Sequence, residues 1–127
     1  MVRPRGLAAG YYDFKRRQFI AAVQDQRWQD LERLLAADVA VVEDTGTSPS
    51  LFGHTAHGRV LGVEQVKRAL SGRGELVVSG HSVNGALGAV VSSQGYVVGI
   101  IILGTARCAI VTVWIITNPA KLSHWNP

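Results

Sequence analysis

A chain of 127 residues suits a single domain that can bury a hydrophobic core without metal or disulfide staples. Hydrophobic residues make up 47% of the sequence and charged residues only 17%, a composition that excludes intrinsic disorder. The single cysteine, Cys108, excludes an internal disulfide framework and is compatible with a reducing compartment.

The net charge of +4 is concentrated near the N-terminus. Residues 1–17 carry five basic side chains and one acidic one, whereas the remaining residues carry eight of each. We therefore predict a basic, flexible head over residues 1–13 and a single neutral domain over residues 14–125. A neutral domain argues against direct sequence-specific DNA binding. The first residues lack the apolar core of a signal peptide, so we expect a cytoplasmic protein.

Three helices are predicted in the first part of the chain. Apolar side chains recur at helical spacing in residues 14–24, 28–35 and 62–71, and polar side chains occupy the other positions. Trp28 lies at this spacing and is expected to anchor the core. Gly72 and Gly74 end the third helix.

Strands dominate the rest of the chain. Segments rich in Val, Ile, Thr, Tyr and Trp are predicted strands, namely residues 38–44, 75–83, 87–92, 96–103 and 108–116. The last two form a long hairpin around a turn at residues 104–107, and Pro119 stops the second because it cannot donate to a ladder. Each apolar run is shorter than the about 20 residues of a membrane helix, which excludes a membrane span. Cys108 falls in the last strand, which predicts a buried, inert thiol.

The fold class predicted from this order is α+β. Helices early in the chain and strands late in it indicate a cone-shaped domain, in which three N-terminal helices pack on a strongly curved, mostly antiparallel sheet. Gly80, Gly88 and Gly99 lie inside predicted strands and are expected at the bends. Residues 45–58 form a loop rich in Thr, Ser, Gly and Pro.

Several stretches resemble the SnoaL-like domain of the nuclear-transport-factor-two-like (NTF2-like) superfamily. The likeness is greatest to the C-terminal accessory domain of one group of bacterial extracytoplasmic-function (ECF) sigma factors. Residues 19–23 with 31–39 resemble the family's opening helices and first strand, and residues 62–70 resemble its third helix. Residues 43–46 stand where the family has an Asp-Gly-Gly-Gly-Lys loop. Residues 82–88 resemble its Val-Asn-Gly-x-x-Gly strand start, and residues 118–122 resemble its Asn-Pro-Asp-Lys-Leu tail. Only Asp44 and Gly46 of the loop motif are present, and Ala120 replaces the Asp of the tail.

The resemblance implies a regulatory, non-catalytic binding domain in transcription regulation. The family's loop and tail motifs contact the sigma regions, which makes the candidate partner contacts Asp44, Gly46, Asn118, Pro119, Lys121 and Leu122. Their partner would be a sigma factor or RNA polymerase. About a dozen residues precede the first predicted helix, too few for a DNA-reading module. We therefore expect a stand-alone domain that does not act as a sigma factor by itself.

The alternative is a small-molecule enzyme of the SnoaL type, such as a cyclase, isomerase or dehydratase. Such enzymes use an Asp or His in an apolar cone, where desolvation tunes the pKa for general-base work. Asp44 and His81 are the weak catalytic candidates here. Together with Asn84 and Trp114, they are also the predicted lining of a pocket for a small apolar ligand. Neutral donors and a stacking surface favour binding over catalysis.

We predict no metal and no cofactor. His54 and His57 have no neighbouring carboxylate or cysteine, so they are interpreted as surface histidines. No Gly-rich phosphate loop or nucleophile elbow is present in the sequence. The sheet face rich in Ile and Val would be a sizeable apolar patch if uncovered, which predicts a homodimer or docking onto a protein partner.

Overall fold

The computed structural model describes residues 5–46 and 55–126. The helices are α1 (Arg5–Gln24), α2 (Trp28–Leu34), α3 (Arg59–Leu70) and the short α4 (Pro119–Leu122), which a 3-10 turn (Ser123–Trp125) follows. The strands are β1 (Leu35–Asp44), β2 (Thr55–His57), β3 (Val77–Val83), β4 (Ala86–Ser93), β5 (Tyr96–Ala106) and β6 (Ala109–Ile116).

Helix α1 is longer than predicted. It begins at Arg5, so residues 5–13, predicted as a flexible head, are helical in the structure. At the end of this added segment, the Asp13 carboxylate contacts the guanidinium groups of Arg16 and Arg17, three and four positions later on the helix. An acidic residue one turn before a basic one stabilises a helix.

The strands form one curled, open sheet with the order β2-β1-β6-β5-β4-β3. All neighbouring strands are antiparallel except β1 and β6, which are parallel. The fold is therefore α+β with a mostly antiparallel sheet, as predicted. The parallel pair places the end of β1 beside the end of β6, because Asp44 is opposite Ile116 in the ladder.

One face of the sheet, the helix face, packs against α1, α2 and α3. Its side chains alternate with those of the opposite face, because successive residues of a strand point to opposite sides. The buried core between the helices and this face includes Phe19, Leu31, Val39, Val41, Val66, Val91, Ile101, Leu103, Ile110, Val113 and Ile115. Trp28 is half-buried against this core, close to its predicted role as an anchor.

Irregular ladder positions bend the sheet. The register of β4 with β5 shifts next to Gly99, and the register of β5 with β6 shifts next to Gly104. Extra residues at such bulges increase the local bend and twist. Gly88 is needed for a different reason, because a Cβ there would lie 2.9 Å from the carbonyl oxygen of Ile101.

Three local predictions were wrong. The interval predicted as one loop contains the three-residue strand β2, which pairs with β1. The β5–β6 turn lies at Arg107 and Cys108, not at residues 104–107, because β5 continues to Ala106. Cys108 is consequently exposed at the tip of a hairpin and is not buried in a strand. A run of apolar letters marks the strand but not where the turn interrupts it.

Candidate functional site: a groove on the outer sheet face

The face opposite the helices, the outer face, is only partly covered. Helix α4 lies across part of it, where Leu122 packs with Val83 and Ile100, and all three are buried. Val97, Ile102 and Ile116 are only partly buried around this small cluster. Beyond it the sheet is open, and the Trp114 side chain is 53% exposed.

Four of the predicted contact residues form one cluster that ties α4 to β1. We call it the Asp44 cluster, and its members are Asp44, Gly46, Asn118 and Lys121. The Asp44 carboxylate accepts a hydrogen bond from the Lys121 ammonium at 2.5 Å. It also accepts from the backbone N–H of Gly46 at 3.0 Å and from the Asn118 amide at 3.4 Å. These residues are up to 77 positions apart in sequence, so the cluster connects two distant parts of the chain.

Asn118 holds the start of α4. Its side-chain oxygen accepts a hydrogen bond from the backbone N–H of Ala120 at 3.0 Å, which is an N-cap. Pro119 follows in the first turn, where its missing N–H has no helical partner to lose. Gly46 passes so close that a Cβ built on it would lie 2.5 Å from Oδ1 of Asn118, and its φ is +82°. The positive φ and this close contact both favour glycine at this position.

The environment of Asp44 keeps it ionised. The hydrogen bond from Lys121 is the main cause that lowers the pKa of the Asp44 carboxyl, with further lowering from the Gly46 N–H, the Lys121 charge and Asn118. Desolvation acts in the opposite direction but is outweighed. A carboxylate with a lowered pKa and a cationic partner is a poor general base at neutral pH.

Beside the cluster lies a groove of about 360 Å³, the outer groove. Its lining residues are Ser82, Val83, Asn84, Ile100, Ile102, Ile116, Lys121 and Trp125. The floor is apolar and comes from β5 and β6. Lys121 and Asn84 add polar groups, and Trp125 forms a wall. Such a mixture of apolar floor and a few polar groups is typical of binding sites.

The four predicted pocket residues do not line the cone. The exposed His81 lies edge-on to Trp125, with 6.1 Å between ring centroids. Asn84 lines the outer groove from the β3–β4 turn, where its φ is +50°. Trp114 is opposite the groove residue Ile102 in the ladder. Asp44 joins this region through Lys121. The predicted residues therefore surround a site on the outer face, because strand alternation turns them away from the helices.

Sequence reasoning missed a buried polar group beneath the Asp44 cluster. The Glu43 carboxylate accepts hydrogen bonds from the Gln65 amide on α3 at 3.1 Å and from the Thr117 hydroxyl at 3.0 Å. Gln65 and Thr117 are both buried. Gln65 occurs among the apolar positions of α3, and a polar residue at a core position was the available signal. The group links α3, β1 and the end of β6.

The part of the chain that the structure describes does not support a metal-binding site. Residues 5–46 and 55–126 contain no group of three or more His, Cys, Asp or Glu side chains that could hold a metal ion. His57 is exposed at the end of β2, and the prediction for His54 lies outside the described residues. Over the same ranges, no helix has the length and apolar character needed to cross a membrane.

No protein-family model matches the sequence, and the comparison with curated proteins gives no match. Solved structures do match. The extracytoplasmic function sigma factor SigJ of Mycobacterium tuberculosis is 20% identical with a TM-score of 0.63, over 87% of this chain and 43% of that one. This chain thus spans less than half of that sigma factor.

Two further structures match over most of both chains. An NTF-2 like protein of unknown function from Burkholderia xenovorans is 10% identical with a TM-score of 0.64, over 94% of this chain and 95% of that one. An LEH-like epoxide hydrolase of Mycobacterium tuberculosis is 15% identical with a TM-score of 0.52, over 85% and 83%. A fold shared by a sigma factor and a hydrolase does not select a function. The chain has the NTF2-like fold, which confirms the expectation from its resemblance to SnoaL-like domains.

Proposed function

We propose that this chain is a non-catalytic protein-binding domain that acts in transcription regulation through its outer face. The observation that carries the proposal is the exposed Trp114 in the middle of the sheet, next to the apolar outer groove. Tryptophan is enriched among the residues that dominate protein interfaces. An apolar surface of this kind beside polar groups marks an interaction site on a soluble domain.

The motif residues divide into two roles under this proposal. Gly46, Asn118, Pro119 and Leu122 build and hold α4, since Leu122 is buried and Asn118 caps the helix. Lys121 is 61% exposed at its side chain and lines the groove. It therefore contacts the partner directly, with Asp44 holding it in place.

The partner in this proposal is a sigma factor or RNA polymerase. Support comes from the shared fold with a sigma factor and from the sequence resemblance to the sigma-associated domain. A cytoplasmic, bacterial setting belongs to the same proposal. A second copy of this chain is the other protein that could cover the outer face, since Trp114 lies at the centre of a surface that could contact its own copy.

The enzyme alternative finds little support in the geometry. Asp44 is held as a carboxylate by Lys121, and His81 is exposed on an edge strand. Neither faces the core under the helices. The outer groove could accept a small apolar ligand in place of a protein side chain, so ligand binding is the second candidate at the same site.

The test is affinity capture from cells of the source organism, with identification of the retained proteins. The wild-type chain is compared with Trp114→Glu and with Lys121→Ala. Leu61→Glu is the matched control, because Leu61 is 61% exposed on α3, away from the outer face. We expect a sigma factor or core polymerase on the wild type and on Leu61→Glu, and at least about tenfold less on Trp114→Glu.

Equal retention by Trp114→Glu and wild type would contradict the use of the outer face. Sedimentation of the purified proteins separates the two protein occupants. A concentration-dependent dimer that Trp114→Glu dissociates would assign the face to a second copy. A wild-type monomer that captures no transcription protein would contradict both and leave the small apolar ligand.

A further inference from the structure

A second groove lies on the other side of the molecule, between α1 and α2. This helix groove has a volume of about 520 Å³, and its lining includes Phe14, Arg17, Ala21, Arg27, Arg33 and Leu34. Phe14 is 49% exposed although it is a large aromatic residue on a helix that packs on the core. Phe14, Arg17 and Ala21 repeat at the i, i+3, i+7 spacing of one helix face. The groove therefore runs between this face of α1 and helix α2.

Arginine donors outnumber carboxylate acceptors in this groove. Asp30 is the one acidic residue in the lining, and its two oxygens already pair with Arg27 at 2.8 Å and Arg33 at 3.1 Å. Asp25 lies 3.8 Å from Arg27 but outside the lining. Each guanidinium offers five N–H donors, so most donors in the described groove have no carboxylate to meet.

Arg17 follows the same pattern. Its ion-pair partner among the described residues, Asp13, also pairs with Arg16. The Arg17 guanidinium lies 5.9 Å from the Phe14 ring centroid, so a cation and an aromatic face are presented together. The side chains of Arg17 and Arg33 are 68% and 75% exposed, which leaves them free to rotate onto a carboxylate of a partner.

We propose that the helix groove binds an acidic amphipathic helix of a partner protein. Leucine-like side chains of that helix would cover Phe14 and Ala21, and its Glu or Asp side chains would pair with Arg17, Arg27 and Arg33. Arginine suits this role because its planar fork contacts a carboxylate with two parallel hydrogen bonds. Helix α2 has seven residues, about 10 Å, so the groove contacts about two turns of the partner.

The lining favours a protein helix over nucleic acid. Strong electrostatic binding to a duplex comes from about 6–10 phosphate contacts, whereas the lining has three arginines and also a carboxylate. An exposed phenylalanine beside buried Leu34 matches the apolar face of an amphipathic helix. The proposal is independent of the outer face, so the domain would hold two partners at once, one on each side.

The test uses the full chain labelled with nitrogen-15 and a synthetic peptide of about 15 residues. The peptide has leucine at helical i, i+3, i+4 and i+7 spacing and glutamate at most other positions. We expect saturable amide shift changes confined to α1 and α2 at about 0.15 M salt. We also expect Arg33→Glu to weaken binding by at least about fivefold and Phe14→Ala by a similar factor.

The matched control is Arg68→Glu, which makes the same charge change at an exposed position on α3. It should alter the peptide affinity by less than about twofold. Arg33→Lys keeps the charge but removes the fork, so intermediate binding is expected. Equal weakening by Arg33→Glu and Arg68→Glu would show attraction by net charge alone and overturn the proposal.

Oligo-deoxythymidine of similar length and vesicles with anionic lipid are the competing probes. Tighter binding of either one to the same amides would overturn the protein-helix assignment. Shift changes on β5 and β6 in place of α1 and α2 would place the peptide at the outer face instead. Failure here leaves the Trp114 experiment unaffected, because the two sites share no lining residue.

Discussion

The helix face and the outer face belong to the same sheet but differ in how completely they are covered. Ile101 and Val113 on the helix face are 0% exposed, whereas Trp114, next to Val113 in the chain, is 53% exposed on the outer face. The first face is sealed by three helices, and the second is covered in part by the four-residue α4. Apolar side chains are thus buried in the core on one face and partly exposed on the other, where we propose binding.

The largest effect that separates the two faces should come from truncating a buried aromatic residue. Phe19 is 0% exposed, so Phe19→Ala should lower the free energy of unfolding by about 3–5 kcal/mol. Trp114→Ala should lower it by less, about 1–2 kcal/mol, because about half of that residue is already in water. Urea unfolding followed by far-UV circular dichroism measures both.

A comparable loss for Trp114→Ala would break the comparison, because it would make the outer face part of the folding core. Phe19→Leu provides a milder variant should Phe19→Ala fail to fold. Its expected loss of roughly 1–1.5 kcal/mol is compared with that of Trp114→Leu, which keeps an apolar side chain on the open face and should cost less.

A smaller loss of unfolding free energy should distinguish a glycine that the Asp44 cluster requires from a glycine that only allows a turn. Gly46 and Gly72 both have positive φ, +82° and +73°, but a Cβ meets Asn118 at Gly46 and nothing within 4 Å at Gly72. Gly72→Ala should cost about 1 kcal/mol from backbone strain alone. Gly46→Ala should cost about 2 kcal/mol, because it also displaces the Asn118 cap.

Asn118→Ala supplies the control for this interpretation. In that background the Oδ1 atom is gone, so the extra cost of Gly46→Ala should shrink toward that of Gly72→Ala. If Gly46→Ala costs the same with Asn118 and with Ala at position 118, the Asn118 side chain does not restrict the residue at position 46.

The smallest effect concerns pH. The pKa of Asp44 is lowered in the folded state, so its contribution to stability is present above the unfolded value of 3.8 and is lost as the pH falls through the folded pKa. Asp44→Asn should remove this part of the acid sensitivity, a difference of about 0.2–1 kcal/mol between about pH 6 and about pH 3.

Lys121→Met tests whether the Lys121 ammonium is the main cause of the lowered pKa of Asp44. Removing the ammonium should raise the pKa of Asp44 toward its ordinary value, as measured by a carbon-13 titration of the Asp44 carboxyl. A titration that does not move in Lys121→Met would show that Gly46 and Asn118, and not the Lys121 pair, keep Asp44 ionised.

The sequence predicts the elements of this fold better than it predicts which face each side chain uses. Ile100, Ile101 and Ile102 are all apolar, so the pattern in β5 does not tell the helix face from the outer face. The same holds for β6, so Trp114 is predicted in the cone but is found on the outer face. Alternation is a reliable guide only where one face is polar.

The residues of the Asp44 cluster are predicted only from the family resemblance, and no periodicity or charge pattern in the sequence points to them. Nothing local in residues 43–46 indicates a contact with residues 118–122, because the parallel β1–β6 pair that joins them is a long-range feature. The strand β2 was missed because three residues are too short for a periodic signal. The Arg107–Cys108 turn was missed because tight hairpins favour Asn or Gly, and neither is present there.

The parallel pairing of β1 with β6 also bears on how the chain folds during synthesis. The partners Asp44 and Asn118 are separated by 74 positions, so the β1–β6 ladder can form only after β6 has left the ribosome. The hairpins β3–β4, β4–β5 and β5–β6 can form locally in the meantime, and long-range closure is the slow part of folding. Strand β1 can pair with β2 and pack against α3 before β6 is made, so the parallel β1–β6 ladder is the last neighbour that this strand gains.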